Sequence, residues 1–381
     1  MVTVEHNRDQ TGERAPVRVP YVALPLQMRR IKSELLSAID EVLESGAYIL
    51  GPQVAEFEAR FAEYCGTRYA IGVSDGTAAL ILALRALGIG PGDEVITAPN
   101  SFIASAASAA LLGATPRFAD VRDSDMNLDP RCLEQAITRR TRAIIAVHLA
   151  GHPADMDSIL EIGARHGLPV IEDAAQAVGS RYRGRRTGSM GLVGCFSLHP
   201  LKNLHAYGDA GVITTNDQHV YEWLVKARNH GLRHRDTSEF WSTNSRIDTL
   251  QAAMLSTALG HLDEWTRERR AIAAEYCEAL REVVGVPHEL PECFHTYQTF
   301  MIRASRREEL LQHLSRLGVD AKVHYPTPIH LQPAAAGLGY AATDFPVATR
   351  LASQIVSLPL YPELTSEQRA AVIDGVRSFY Q

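Results

Sequence analysis

Hydrophobic positions along the chain follow two rhythms. Ile31, Leu35, Leu36, Ile39, Val42 and Leu43 recur at helical intervals, which predicts a helix over 28–45 that stops at Gly46. A second helix is expected over 54–64, ended by Gly66. From there short apolar runs alternate with helical ones. Strands are predicted over 69–73, 94–98, 115–121, 143–151 and 168–174, and helices over 78–87, 101–113, 131–137 and 156–167. This alternation implies βαβ units, hence an α/β fold with a mainly parallel central sheet flanked by helices. Two further strands, 195–200 and 211–217, lie on either side of a turn rich in Pro, Asn and Gly.

The rhythm changes in the last third. Amphipathic helices are predicted over 248–262 and 265–282. Beyond residue 287 comes a smaller α+β set: a strand over 296–304, a helix over 307–317, a strand over 320–326 and a helix over 366–379. The expected organisation is a mobile N-terminal tail over 1–20, a large domain over 21–265, and a smaller C-terminal domain over 266–381 joined by a long helix.

Composition narrows the function classes. A hydrophobic share of 46% supports a sizeable core, and a net charge of −6 argues against a general nucleic-acid binder. The five cysteines are scattered with no C-x-x-C, so neither a disulfide frame nor a zinc cluster is indicated, and a reducing cytoplasm fits. The polar N-terminus lacks the apolar core of a signal peptide, and no apolar run reaches the roughly 18 residues that span a bilayer. A membrane association is therefore not expected. No G-x-G-x-x-G follows a strand, which disfavours a nicotinamide enzyme.

One residue type stands out. Only four of the 38 basic residues are lysines, at 32, 202, 226 and 322, and Lys202 sits inside the turn FSLHPLKNLHAYGDAG. Unlike arginine, a lysine can lose its proton near neutral pH and become a nucleophile. Other junctions supply matching chemistry. SDGT (74–77) follows a strand and opens a helix, a place where backbone N–H groups favour an anion. Asp173, in VIEDAAQ, stands at the C-terminal end of a strand, with Gln176 just beyond; Phe102, in NSFIAS, occupies another strand-to-helix junction. Strand ends of this kind form the ligand rim of an open α/β sheet. An anion cradle, a stacking aromatic, a carboxylate and an amine form the set that pyridoxal 5′-phosphate needs.

SDGT, EDAAQ, FSLHPLKN followed by GDAG, and NSRID (244–248) resemble, in order and spacing, the DegT/DnrJ/EryC1/StrS family of pyridoxal-phosphate-dependent sugar aminotransferases, which have the fold-type I architecture. The resemblance runs from about residue 21 to the C-terminal helix and includes GPQVAEFE, GPGDEVI, VHLAG, VHYPTPIH and SLPLYPELT. It implies that Lys202 condenses with the cofactor's aldehyde, that Asp173 binds the pyridine nitrogen, and that Gln176 lies near O3′. By the same resemblance Phe102 stacks on the ring, while Gly76, Thr77 and Ser197 hold the phosphate. Asn244 would reach the phosphate of a neighbouring subunit, making a homodimer with shared sites the working unit.

For substrate, the basic run RNHGLRHR suggests Arg228 and His230 as contacts to a diphosphate. His324, Tyr325 and His330 in VHYPTPIH, and His148 in VHLAG, complete the substrate candidates. No metal is expected: the His148/His152 and His230/His234 spacings contain Gly151 and Gly231, which break the helix that would align them. The expected reaction is amino transfer from an amino acid, L-glutamate, to a keto sugar. GDAG after the lysine resembles family members acting on 3-keto sugars, which favours a nucleotide-linked 3-keto-6-deoxyhexose. A glutamine-dependent inosose aminotransferase and a non-catalytic cofactor-binding regulator are the alternatives.

Overall fold

The structure, a computed structural model, describes residues 19–381. Its central sheet has seven strands: Tyr69–Val73 (β1), Glu94–Thr97 (β2), Thr115–Phe118 (β3), Thr141–Val147 (β4), Val170–Asp173 (β5), Val193–Ser197 (β6) and Gly211–Thr215 (β7). They lie in the order β1-β7-β6-β5-β4-β2-β3. All run parallel except β7, which is antiparallel to both neighbours. Helices cover both faces, and β2, β5 and β7 are buried along their whole length. That double burial explains why the strands read as apolar runs.

The topology decides where chemistry can sit. Six parallel strands end on one rim, and the reversed β7 begins there. Its first residue, Gly211, is pressed against the turn after β1, where a Cβ would stand 2.4 Å from the Asp75 carbonyl oxygen. Only glycine permits that approach.

Several boundaries differ from the sequence reading. The two helices predicted over 248–262 and 265–282 are one 32-residue helix, Thr249–Leu280 (α1). The polar break between them, Asp263 and Glu264, lies on the solvent side, while Leu262 and Trp265 continue the buried face. Along this helix the packing passes from the central core, through Leu255 and Leu262, to a C-terminal core around Ile272, Tyr276 and Leu280. In that C-terminal core Phe300–Arg303 pairs antiparallel with Ile355–Leu358, a strand the pattern did not predict. The strand expected over 320–326 is reduced to one bridge, Lys322 with Ser357. Pro326 and Pro328 supply no N–H to extend a ladder. Of the tail expected over 1–20, residues 1–18 lie outside the described residues. Val19 is fully buried in the C-terminal core and bridges Val319, so the packed chain begins before residue 21. Among the described residues no helix is long and apolar enough to cross a membrane.

Behind the rim lies a buried histidine–carboxylate hydrogen bond. His148 Nε2 stands 3.0 Å from Glu172 Oε2, and both side chains are fully buried. Glu172 also accepts from the N–H groups of Gly188, Met190 and Gly191. Burial works to raise the Glu172 pKa, but the His148 contact and these N–H groups outweigh it and hold the carboxyl below its usual range. A carboxyl lowered in this way stabilises the fold above its unfolded pKa, and that contribution is lost as pH falls through the folded value. Removing the carboxylate leaves the His148 Nε2–H and three backbone N–H groups buried without an acceptor, so Glu172→Ala is expected to destabilise the protein by about 3–5 kcal/mol. Urea unfolding at pH 7 is the measurement, and a loss below about 1 kcal/mol contradicts the assignment.

Candidate functional site

The rim opens into a cavity of about 550 Å³ whose walls come from the sheet rim and the C-terminal unit. The first wall is the turn after β1. Asp75 caps the following helix, Gly76–Ala86, by accepting from the Ala78 N–H at 2.8 Å. This leaves the Gly76 and Thr77 N–H groups without intrahelical acceptors. A Cβ on Gly76 would stand 2.6 Å from the Ser197 Cβ, so glycine lets the turn and the end of β6 close together. Gly76, Thr77 and Ser197 all line the cavity, as an anion cradle would require.

Asp173 ends β5 and is 5% exposed. Its Oδ2 accepts from Ser105 Oγ at 2.7 Å and its Oδ1 from the Ala175 N–H at 3.2 Å. Ser105 in turn stands 2.8 Å from Ser101 Oγ. The carboxylate is thereby fixed in orientation while remaining on the cavity wall. Lys202 follows β6 in a turn closed by its own N–H to the His199 carbonyl, 2.8 Å. Gln298 of the C-terminal unit clamps this turn from both sides: it donates to the Leu201 carbonyl at 2.7 Å and accepts from the Asn203 N–H at 2.9 Å. Burial lowers the Lys202 pKa to about 8, with the Asp173 carboxylate partly opposing the shift. An amine this poorly solvated is available uncharged near neutral pH.

The opposite wall is aromatic. Phe102, half exposed, faces the cavity with its ring 5.6 Å from that of Tyr325. Tyr325 receives a hydrogen bond from Gln176 Nε2 at 3.1 Å, and Gln176 Oε1 accepts from the Ala150 N–H at 2.7 Å. His324 stacks on Tyr21 at 5.5 Å, and its Nδ1 lies 2.9 Å from Ser357 Oγ. Burial, with the nearby Lys202 and Lys322 charges, lowers the His324 pKa to about 4, so this ring is neutral.

Lys202, Asp173, Gly76, Thr77, Phe102, Gln176, Ser197, His324 and Tyr325 therefore share one cavity. Four substrate candidates do not reach it. His148 is locked behind the sheet between Glu172 and the Ala154 N–H. Arg228 is buried against Glu58 and donates to the Gly72 carbonyl at 2.9 Å, which ties the helix Pro52–Cys65 to β1. His330 is 2% exposed and packs on Phe118 and Phe345. His230 is exposed on a loop away from the cavity. Asn244 is also exposed and does not line this chain's own cavity. Conversely Ser105, Gln298, Arg269 and Tyr21 were not singled out from sequence. Ser105 lay in the helix after Phe102, one turn from the rim; the other three carry no local signal.

The donor set fits the cofactor expected from sequence. There is a cradle for a phosphate, an exposed aromatic face for a flat ring, a fixed carboxylate for a ring nitrogen and a desolvated amine for an aldehyde. Comparison with known proteins agrees. Residues 29–377 match the DegT/DnrJ/EryC1/StrS aminotransferase family. The chain is 46% identical over 364 residues to the dTDP-3-amino-3,4,6-trideoxy-alpha-D-glucose transaminase of Streptomyces venezuelae, covering 95% of this chain and 96% of that one. The crystal structure of S. venezuelae DesV in complex with a ketimine intermediate superposes with a TM-score of 0.94 at 46% identity, over 96% of this chain and 99% of that one. NtdA from Bacillus subtilis, solved with bound cofactor PMP, gives a TM-score of 0.89 at 29% identity, over 98% of this chain and 87% of that one.

Desolvation of Lys202 can be measured directly. In competitive acylation of the cofactor-free protein followed by mass spectrometry, Lys202 labelling is expected to rise through pH about 8, well below the ordinary lysine range. Lys32, exposed on the surface, serves as the internal reference. A Lys202 profile that tracks Lys32 contradicts a desolvated amine.

Proposed function

Because the chain belongs to the DegT/DnrJ/EryC1/StrS aminotransferase family, whose members depend on pyridoxal phosphate, we propose that it transfers an amino group from L-glutamate to a nucleotide-linked 3-keto-6-deoxyhexose. The observation that carries this reading is a desolvated lysine facing a fixed carboxylate in one cavity. The named activity of the S. venezuelae relative, on a dTDP-linked 3-amino sugar, supports position 3 and the nucleotide linkage. Asp209 of GDAG lines the same cavity, where an acceptor would meet it.

The residues have distinct tasks. When bound, the cofactor supplies an aldehyde that receives the amino group and a ring that takes up carbanion electrons. Lys202 Nζ would hold the aldehyde at rest and, as a free amine, would take the proton from the donor's Cα and later return one to the acceptor carbon. Asp173 Oδ, held by Ser105 and the Ala175 N–H, keeps a proton at the ring nitrogen. Gly76, Thr77 and Ser197 bind phosphate, Phe102 covers the ring, and Gln176 orients it beside Tyr325. His324, neutral in this site, is placed to hydrogen-bond a sugar hydroxyl.

A homodimer completes this site. Asn244, exposed and not lining its own cavity, would serve a partner's phosphate. Trp241, three residues before Asn244, is exposed, as are Tyr48, Ile49 and Leu50, of which Ile49 is bridged to Asp248, four residues after Asn244. An apolar group of this size next to a polar ligand residue suits burial against a second copy.

Two measurements test the reading. Incubation with L-glutamate and a dTDP-linked 3-keto-6-deoxyhexose is expected to give a product whose nitrogen sits on C3 by NMR. Nitrogen on C4, or turnover confined to an inosose with glutamine, rejects the substrate assignment. Separately, Lys202→Ala and Asn244→Ala should each be inactive alone, whereas randomly mixed dimers should recover roughly a quarter of intact sites. Absence of recovery points to sites built within one chain.

A further inference from the structure

Arg269 has no part in the reaction scheme above, yet it lines the cavity. It lies on α1 and is 8% exposed, and one guanidinium nitrogen, Nη1, donates to the Leu360 carbonyl at 2.8 Å. Among the described residues no carboxylate stands within ion-pair distance of it. Glu363, the carboxylate that acts on it, already pairs with Arg30 at 3.4 Å. The acids of the cavity wall are committed elsewhere or exposed: Asp75 caps a helix, Asp173 is held by Ser105, and Asp209 faces solvent. Burial lowers the Arg269 pKa to about 10, and Glu363 and Tyr21 offset this only in part. A guanidinium kept this far from water without a counter-ion is costly unless an anion arrives.

The other basic side chains in the wall cannot play this part. Lys202 must lose its charge to react. His199 and His324 both have lowered pKa values, burial first and the Lys202 charge second, and are neutral near pH 7. Arg269 is thus the permanent positive charge of the cavity wall among the described residues. It bonds Leu360 and lies near Tyr21, whose hydroxyl meets Thr299.

We propose that Arg269 binds a carboxylate of the amino-acid donor and so recruits the donor half of the reaction. This rests on the transaminase reading above. A transaminase that uses an amino acid must receive a carboxylate close to the reacting amine in each donor turn, whereas the charge of a nucleotide-linked acceptor sits on its diphosphate, outside the reacting ring. A planar guanidinium with free N–H groups matches a carboxylate bidentately, and apolar Leu358 and Leu360 beside it suit the donor's methylene groups. The sugar ring gains nothing from this charge; the acceptor's diphosphate would, and loss in the sugar half is the outcome that reports it.

The holoenzyme decides between the halves. With Arg269→Gln, the donor KM in the L-glutamate half-reaction, followed by the cofactor's absorbance, is expected to rise about ten- to a hundredfold. The half-reaction run from the amino-sugar product into the same holoenzyme should be unchanged. Loss confined to the sugar half, equal loss in both halves, or no loss at all overturns the proposal. A second measurement needs no variant. Glutarate should raise the melting temperature of the cofactor-free wild-type protein, whereas uncharged glutaramide should not. A crystal soaked in glutarate should show a carboxylate hydrogen-bonded to Arg269; a carboxylate seated elsewhere in the cavity overturns the assignment. Because this arm uses no cofactor and no turnover, it also separates the two ideas: an enzyme that transaminates nothing rejects the function while glutarate on Arg269 still stands.

Discussion

A lysine amine becomes a useful nucleophile near neutral pH only when the fold keeps water away from it, and that requirement organises this protein. Burial pulls the Lys202 proton off, while the Asp173 carboxylate pulls it back. The balance leaves the amine poised near pH 8. Two supports maintain it. Ser105 and the Ala175 N–H occupy part of the Asp173 charge, and Gln298 fixes both sides of the lysine turn. Loosening either support would change solvation or charge at the amine, so the site depends on groups that never touch substrate.

The sheet makes this arrangement possible. Reversing β7 alone folds the chain back at the rim, so the lysine turn between β6 and β7 lies beside the anion turn after β1. Gly211 and Gly76 permit the contact by lacking a Cβ. The C-terminal unit then supplies the facing wall. Tyr21, Gln298, Thr299, His324 and Tyr325 all come from outside the sheet, yet each lines the cavity. Because the two walls belong to separate cores, a substrate held between them meets side chains from distant parts of the chain.

Buried charges elsewhere show how the protein separates structure from binding. Glu172 is closed by His148 and three N–H groups, and Arg228 by Glu58 and the Gly72 carbonyl. Both meet their partners inside the protein and neither lines the cavity. Arg269 is equally buried but is completed only by one carbonyl and opens on the cavity. The distinction lies in which partners are present, since all three residues have similar burial and ordinary local sequence.

Local order in the sequence was enough to determine the strand–helix alternation, the mainly parallel sheet and the rim residues from Gly76 to Lys202, because backbone geometry places the ends of the six parallel strands on one edge. It was not enough for the charged candidates. His148 ends a strand just as Asp173 does, but its side chain turns behind the sheet to Glu172; Arg228 lies in a basic run but points inward to Glu58. Periodicity likewise split α1 at a polar pair that merely faces solvent, and it missed the strand Ile355–Leu358, whose partner is remote. Ser105, Gln298 and Arg269 became visible only with the chain folded. Their roles depend on a carboxylate, a turn and a cavity assembled from segments up to 97 residues apart in hydrogen-bonded contact, as with Gln298 and Leu201, and no local pattern encodes which distant groups will meet.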